Sequence, residues 1–134
     1  SDGGYLWGKT DNVIHGVGTG TTWEDAKANH RWRILYADGS GADCRYYLKH
    51  LETGAYLDVN WTTGNACLWD PNGKEEQKFR FQLIRTTEQG YYVYIEESTR
   101  DDEWLGVNQH GNVYRWPRDG DGSQVFFLRK LPLR

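Results

Sequence analysis

Carboxylates come nearest to a catalytic pattern in this chain. Glu96-Glu97 and Asp101-Asp102-Glu103 lie close together, and two carboxyl groups flanking a glycosidic bond can divide acid and base work. They surround a turn with no motif beside them that would build a pocket, so a solvated hairpin is expected. Asp119-Gly120-Asp121-Gly122 begins like a calcium loop, but the twelfth position from Asp119 is Lys130 rather than a carboxylate. A turn is expected there too. His15, His30, His50 and His110, with Cys44 and Cys67, show no zinc spacing. The chain has no Gly-x-Ser-x-Gly, phosphate loop or dinucleotide fingerprint. The expectation is a non-enzyme, with no catalytic residue, metal or cofactor.

The elements that would carry any other chemistry are short strands. Tyr46-Tyr47-Leu48, Tyr56-Leu57-Asp58-Val59, Tyr92-Val93-Tyr94-Ile95 and Val125-Phe126-Phe127-Leu128 are rich in β-formers and bounded by Gly, Asn and Asp. Only Glu24–Asn29 suggests a turn of helix. Trp23, Trp69 and Trp116 recur at spacings of 46 and 47. Trp32, Phe79 and Phe126 recur at 47 both times, each two residues after His30, Gln77 or Gln124. Ile14, Leu57 and Leu105 keep the register upstream. The chain therefore divides into three copies of about four strands, near 1–40, 41–88 and 89–134, forming one all-β domain. Trp32, Phe79 and Phe126 are expected to share a core layer, with Ile34, Phe81 and Leu128 on the same face by alternation.

Composition bounds the rest. The 134 residues include seven Trp and nine Tyr among only 37% apolar residues, so much of the core is expected to be aromatic. Net charge is -3 and no like-charged run exceeds three residues, which argues against nucleic acid or an anionic membrane as partner. No apolar stretch reaches spanning length. Cys44 and Cys67 are compatible with one disulfide or with two thiols.

A Gln-x-aromatic once per repeat, preceded by Leu57-Asp58-Val59 and Leu68-Trp69-Asp70, resembles the ricin-B or Q-x-W family. The second repeat carries the resemblance best, through Tyr56–Val59, Ala66–Gly73 and Gln77-Lys78-Phe79. The resemblance implies a β-trefoil, in which each repeat can hold a shallow sugar site. An aspartate after the second strand accepts bonds from sugar hydroxyls, an aromatic on the third strand stacks on the sugar, and a polar residue precedes the bracing Gln. A carboxylate offers several acceptor positions to neighbouring hydroxyls, and its bonds are charge-assisted.

Carried across, the pattern places Asp58, Trp69 and Glu76 in repeat two, with Gln77 as brace and Asn72 as an added donor. Glu76 stands where the family has Asn, which puts the sugar preference in question. Trp61 is expected to widen the platform. Repeat one offers a weaker set: His15, Trp23 and Asn29. Repeat three has Gly106 in place of the aspartate, with Trp116 and Ser123, and only Asn108 and Arg115 to compensate. The function implied is a lectin or carbohydrate-binding module for galactose or N-acetylgalactosamine glycans and glycoproteins. A single weak site would draw avidity from homo-oligomerisation or from attachment to another domain. The alternatives are a protein-binding trefoil, such as a protease inhibitor or a toxin's receptor-binding module, and a structural adaptor. Trp61 and Trp104 are the expected surface tryptophans.

Overall fold

A computed structural model describes residues 5–8, 14–17, 31–88, 90–99, 102–107, 112–120 and 123–129. The short β-rich runs form strands β1 (Tyr5–Gly8), β2 (Ile14–Val17), β3 (Trp32–Asp38), β4 (Arg45–His50), β5 (Tyr56–Val59), β6 (Ala66–Trp69), β7 (Phe79–Thr86), β8 (Gly90–Glu97), β9 (Glu103–Val107), β10 (Val113–Pro117) and β11 (Phe126–Arg129). Two 3-10 turns, Gly41–Asp43 and Glu75–Gln77, interrupt them. The turn expected at Glu24–Asn29 lies outside the described residues.

The pairing repeats with the sequence. β1 and β2 pair with each other, and the other nine strands form one antiparallel sheet. β4 bonds to β3, β5 and β7. β8 bonds to β7, β9 and β11. A shift of four strands maps the first set on the second. Local detail follows: Trp32 faces His50 as Phe79 faces Glu97, and a β-bulge between Tyr36 and Asp38 recurs between Leu83 and Arg85. A bulge bends its strand and sharpens the twist, as a closing sheet requires.

The buried cluster is built from equivalent positions. Phe79 and Phe126 are buried, and Trp32 packs against them half-buried. Leu48 and Ile95, Leu57 and Leu105, and Ala66 and Val113 complete it. Phe81 and Leu128 pack on its edge, but Ile34, expected beside them, is 44% exposed. The expectation of an aromatic core is also corrected. Among the described residues most of the cluster is aliphatic, and the tyrosines pair outside it, as in Tyr47–Tyr56 at 5.3 Å and Tyr92–Phe127 at 4.9 Å. A phenol keeps its hydroxyl wet while its ring packs, which suits the barrel's outer layer.

Two expectations about surface residues are overturned. Trp104 is buried, covered by Tyr94 and by the Arg118 guanidinium 4.2 Å from its ring. Glu96 and Glu97 do not form a solvated loop. Alternation along β8 turns Val93, Ile95 and Glu97 inward, and Glu97 is fully buried. Its carboxylate is met by Arg115 Nη1 at 2.9 Å, by the Thr99 N–H at 2.9 Å and by the Thr99 hydroxyl. Glu96 pairs with Arg80 at 2.5 Å.

Arg115 occupies the strand position that Leu68 fills in repeat two, and Glu97 the position of His50, which bonds Thr53 instead. Repeat three therefore buries an ion pair where repeat two buries a leucine beside a histidine. Arg115 Nη2 also donates to the Trp61 carbonyl at 2.8 Å, tying β10 to the β5–β6 turn. Arg115→Leu alone should destabilise the protein by about 3–5 kcal/mol, because Glu97 is left charged and buried. Arg115→Leu with Glu97→Gln should recover most of that loss, as read from guanidinium midpoints of the three proteins.

Candidate functional site

Hairpin β5–β6 sorts its side chains by parity. Leu57, Val59, Ala66 and Leu68 turn into the core, so Tyr56, Asp58, Cys67 and Trp69 share the opposite face. The register sets Tyr56 opposite Trp69 and Asp58 opposite Cys67. Asp58 and Trp69 are thus diagonal neighbours, roughly 7–8 Å apart by ordinary sheet geometry. Trp69 is 57% exposed and has no ring contact or side-chain hydrogen bond among the described residues. Trp61 is also exposed, but it lies in the turn beyond Val59, at the other end of the hairpin. It does not extend a platform that begins at Trp69.

Gln77 ties this face to the turn Glu75–Gln77. It is fully buried, and its Nε2 donates to Asp58 Oδ2 at 2.9 Å and to the Asp70 carbonyl at 2.9 Å. Its Oε1 accepts from the Asn72 N–H at 3.0 Å. Asn72 Oδ1 in turn accepts from the Lys74 N–H, and the Asn72 amide nitrogen has no partner among the described residues of this exposed turn. The 3-10 turn is clamped from behind. Glu75 accepts from Arg45 and pairs with Lys78 at 3.5 Å, and its carbonyl accepts from the Ser98 hydroxyl at 2.8 Å. Arg45 and Lys78 also grip Asp38, holding its carboxyl down to about 2. Glu75 is thereby neutralised, while Glu76 beside it has no ion pair among the described residues.

Asp58 is 8% exposed, and Gln77 is its one side-chain partner among the described residues. Its Oδ1 has no protein donor there. Burial pushes its carboxyl up to about 6; the Gln77 bond and Lys74 pull down, and the charges of Glu76 and Glu97 push up further. Burial and the neighbouring Asp58 likewise raise the Cys67 thiol to about 11. Both cysteines are free.

The other two repeats differ. In repeat three Gln124 reproduces the brace: Nε2 donates to the Trp116 carbonyl at 3.0 Å, and Oε1 accepts from the Asp119 N–H at 3.1 Å. The carboxylate position is Gly106, and the Trp116 ring fills the room. A Cβ at Gly106 would stand 2.3 Å from that ring. The Trp116 indole N–H is also engaged, by Asp119 Oδ2 at 2.7 Å. Arg115 cannot compensate, since it faces Glu97 in the interior. Of repeat one, His15 lies in β2 opposite Trp7. The His15 side chain, Trp23, Asn29 and His30 lie outside the described residues, as does Asn108. No cluster of three metal-ligating side chains occurs among the described residues.

No family model and no curated protein matches the chain. Solved structures do. A designed threefold-symmetric protein, ThreeFoil, matches at TM-score 0.65 and 18% identity, over 97% of this chain and 100% of its own. The fold is a β-trefoil. A GlcNAcα1-4Gal-releasing endo-β-galactosidase from Clostridium perfringens matches at TM-score 0.71 and 16% identity, over 96% of this chain. The chain spans 30% of that enzyme's length.

The raised carboxyl of Asp58 makes stability depend on pH. In the unfolded chain the group returns to its ordinary 3.8, so between about pH 4 and 6 the fold holds a proton that the unfolded chain has lost. Its contribution is therefore full below pH 4 and declines as pH rises through 6. Asp58→Asn, which keeps an acceptor for Gln77, should stabilise the protein near pH 7.5 by on the order of 2 kcal/mol and much less near pH 4. Urea midpoints at the two pH values test this. An equal gain at both would mean Asp58 is ionised at no extra cost.

Proposed function

We propose that this trefoil is a non-catalytic carbohydrate-binding module or lectin of the ricin-B type, with its working site in the second repeat. The observation that carries the reading is Asp58. It is a buried carboxylate with one oxygen fixed by Gln77 and the other without a protein donor among the described residues, on the same hairpin face as an exposed tryptophan with no ring contact or side-chain hydrogen bond among them. A residue serving the fold alone gains little from an ionisable group in that position. The arrangement suits a pyranose: hydroxyls donate to Asp58 and Glu76, the Asn72 amide donates back, and the C–H face lies on Trp69. The family resemblance of the motif supports galactose or N-acetylgalactosamine as the sugar. The galactosidase that shares the fold supports a glycan ligand in general. That this chain matches under a third of that enzyme favours a module working beside another domain, which would also supply the avidity a single shallow site lacks. The absence of catalysis is part of the proposal, since Glu96 and Glu97 are engaged by Arg80 and Arg115.

A glycan array probed with wild type, Asp58→Ala and Trp69→Ala tests the reading. Wild type should bind galactose-type glycans and leave them intact, and each variant should lose about tenfold or more. The same glycans bound equally by all three proteins would place the site elsewhere. Inhibition of a protease, unaffected by Asp58→Ala, would favour a protein-binding trefoil.

A further inference from the structure

We propose that the face formed by Asp58, Glu76 and Trp69 selects sugars bearing a free ammonium group, 2-amino-2-deoxyhexoses, over their N-acetylated and neutral counterparts. This rests on the sugar-binding reading above and names the ligand class for it.

The polar inventory points that way. Ionised Asp and Glu only accept hydrogen bonds. Of the donors nearby, the Gln77 amide has both hydrogens engaged, by Asp58 Oδ2 and by the Asp70 carbonyl, which leaves, among the described residues, only the Asn72 amide and Lys74 on the exposed turn. An N-acetyl group would bring a carbonyl that needs a donor, whereas an ammonium brings three donors and no acceptor. Charge points the same way. Glu75 has Arg45 and Lys78, and Glu97 has Arg115, whereas the exposed Asp70 has no ion pair among the described residues. Asp58 and Glu76 have none among the described residues. Lys74, on the exposed turn, lowers the Asp58 carboxyl only as the last of the influences on it.

Asp58 separates this from an ordinary acidic surface. It is 8% exposed, and its Oδ1 has no protein donor among the described residues. A charge so placed is unfavourable until a counter-charge arrives. The groups facing it are Cys67 across the strand pair, Lys74, Glu76 and Gln77 from the turn, and Glu97 from β8. Burial first, then the charges of Glu76 and Glu97, hold the carboxyl up at about 6 against the pull of Gln77 and Lys74, and a bound ammonium would reverse that, displacing a proton from Asp58 below that pH. The exposed Trp69 ring adds a cation–π surface for the same group.

Titration of the full chain with galactosamine, glucosamine, their N-acetyl forms, galactose and ethanolamine, followed by calorimetry near neutral pH, tests the proposal. An amino sugar should bind about tenfold more tightly than its N-acetyl form, the scale of one charge-assisted contact. Glu76→Gln, on a partly exposed turn, should reduce that preference to about twofold, read as the ratio of amino-sugar to N-acetyl-sugar affinity in the same protein. If N-acetylated or neutral sugars bind as well as the amino sugars, the ligand class is wrong and the sugar-binding reading stands. If ethanolamine binds as tightly as galactosamine, the face recognises any amine and the proposal fails. If no sugar binds, both readings fall.

Discussion

The carboxamide of Gln77 reaches three separate stretches of chain at once: β5 through Asp58, the end of β6 through Asp70, and the following turn through Asn72. Because it is fully buried, none of these bonds has water as an alternative, and each must be satisfied by the fold. That requirement shapes the loop between β6 and β7. The loop has to close over the amide, so Asn72, Glu76 and the 3-10 turn are placed by the same group that fixes the carboxylate. Gln124 does the same in repeat three, with backbone carbonyls in place of the carboxylate. The brace belongs to the fold, and the candidate site of repeat two differs from repeat three in that one of its partners is a side chain, Asp58.

Small substitutions at equivalent positions then break the symmetry. With Asp58, the second-strand position pushes a side chain into the space under the tryptophan and Trp69 stays outside. With Gly106 that space is open and Trp116 folds into it. The indole gains burial and a hydrogen bond to Asp119 and is no longer available as a stacking surface. A second exchange acts inside the barrel. Leu68 and His50 become Arg115 and Glu97, and the new cation reaches across to the Trp61 carbonyl, while the Arg115 N–H bonds to the Gly64 carbonyl. The ion pair thus couples repeat three to the hairpin that carries Asp58.

Much of the fold was legible because the periodic residues are those that strand geometry forces inward. Phe79 and Phe126, Leu57 and Leu105 keep their spacing because a closed barrel accepts one side-chain size at each of these places. The aromatic count misled, since tyrosine composition does not say which end of the side chain is dry; Tyr47 and Tyr92 pack ring to ring outside the core. Glu97 misled for a different reason. Read alone, two adjacent glutamates suggest water, and the signal for burial was the partner in a distant strand, Arg115, at a position where the repeat expects leucine. For the site, the diagonal placement of Asp58 and Trp69 follows from strand parity and was within reach of the sequence. The engagement of Glu75 and the isolation of Glu76 among the described residues were not, because they depend on Arg45 arriving from β4 while Lys78 caps the turn itself.

The unequal treatment of those two adjacent glutamates bears on what Asp58 does. The fold supplies cations to Glu75, Glu97 and Asp38. Around Asp58 it supplies one neutral amide, two further negative charges and the weaker influence of Lys74, and burial above all raises the carboxyl to about 6. A shortage of cations in the chain does not explain this, since Arg45 and Lys78 stand on the far side of the same 3-10 turn. Shielding Asp58 from them makes the folded state less stable above pH 6 than an amide at that position would. The same shielding leaves Asp58 Oδ1 without a donor among the described residues, beside an exposed indole. A group that lowers stability while its hydrogen-bonding capacity is left open is physically suited to binding rather than to holding the barrel together.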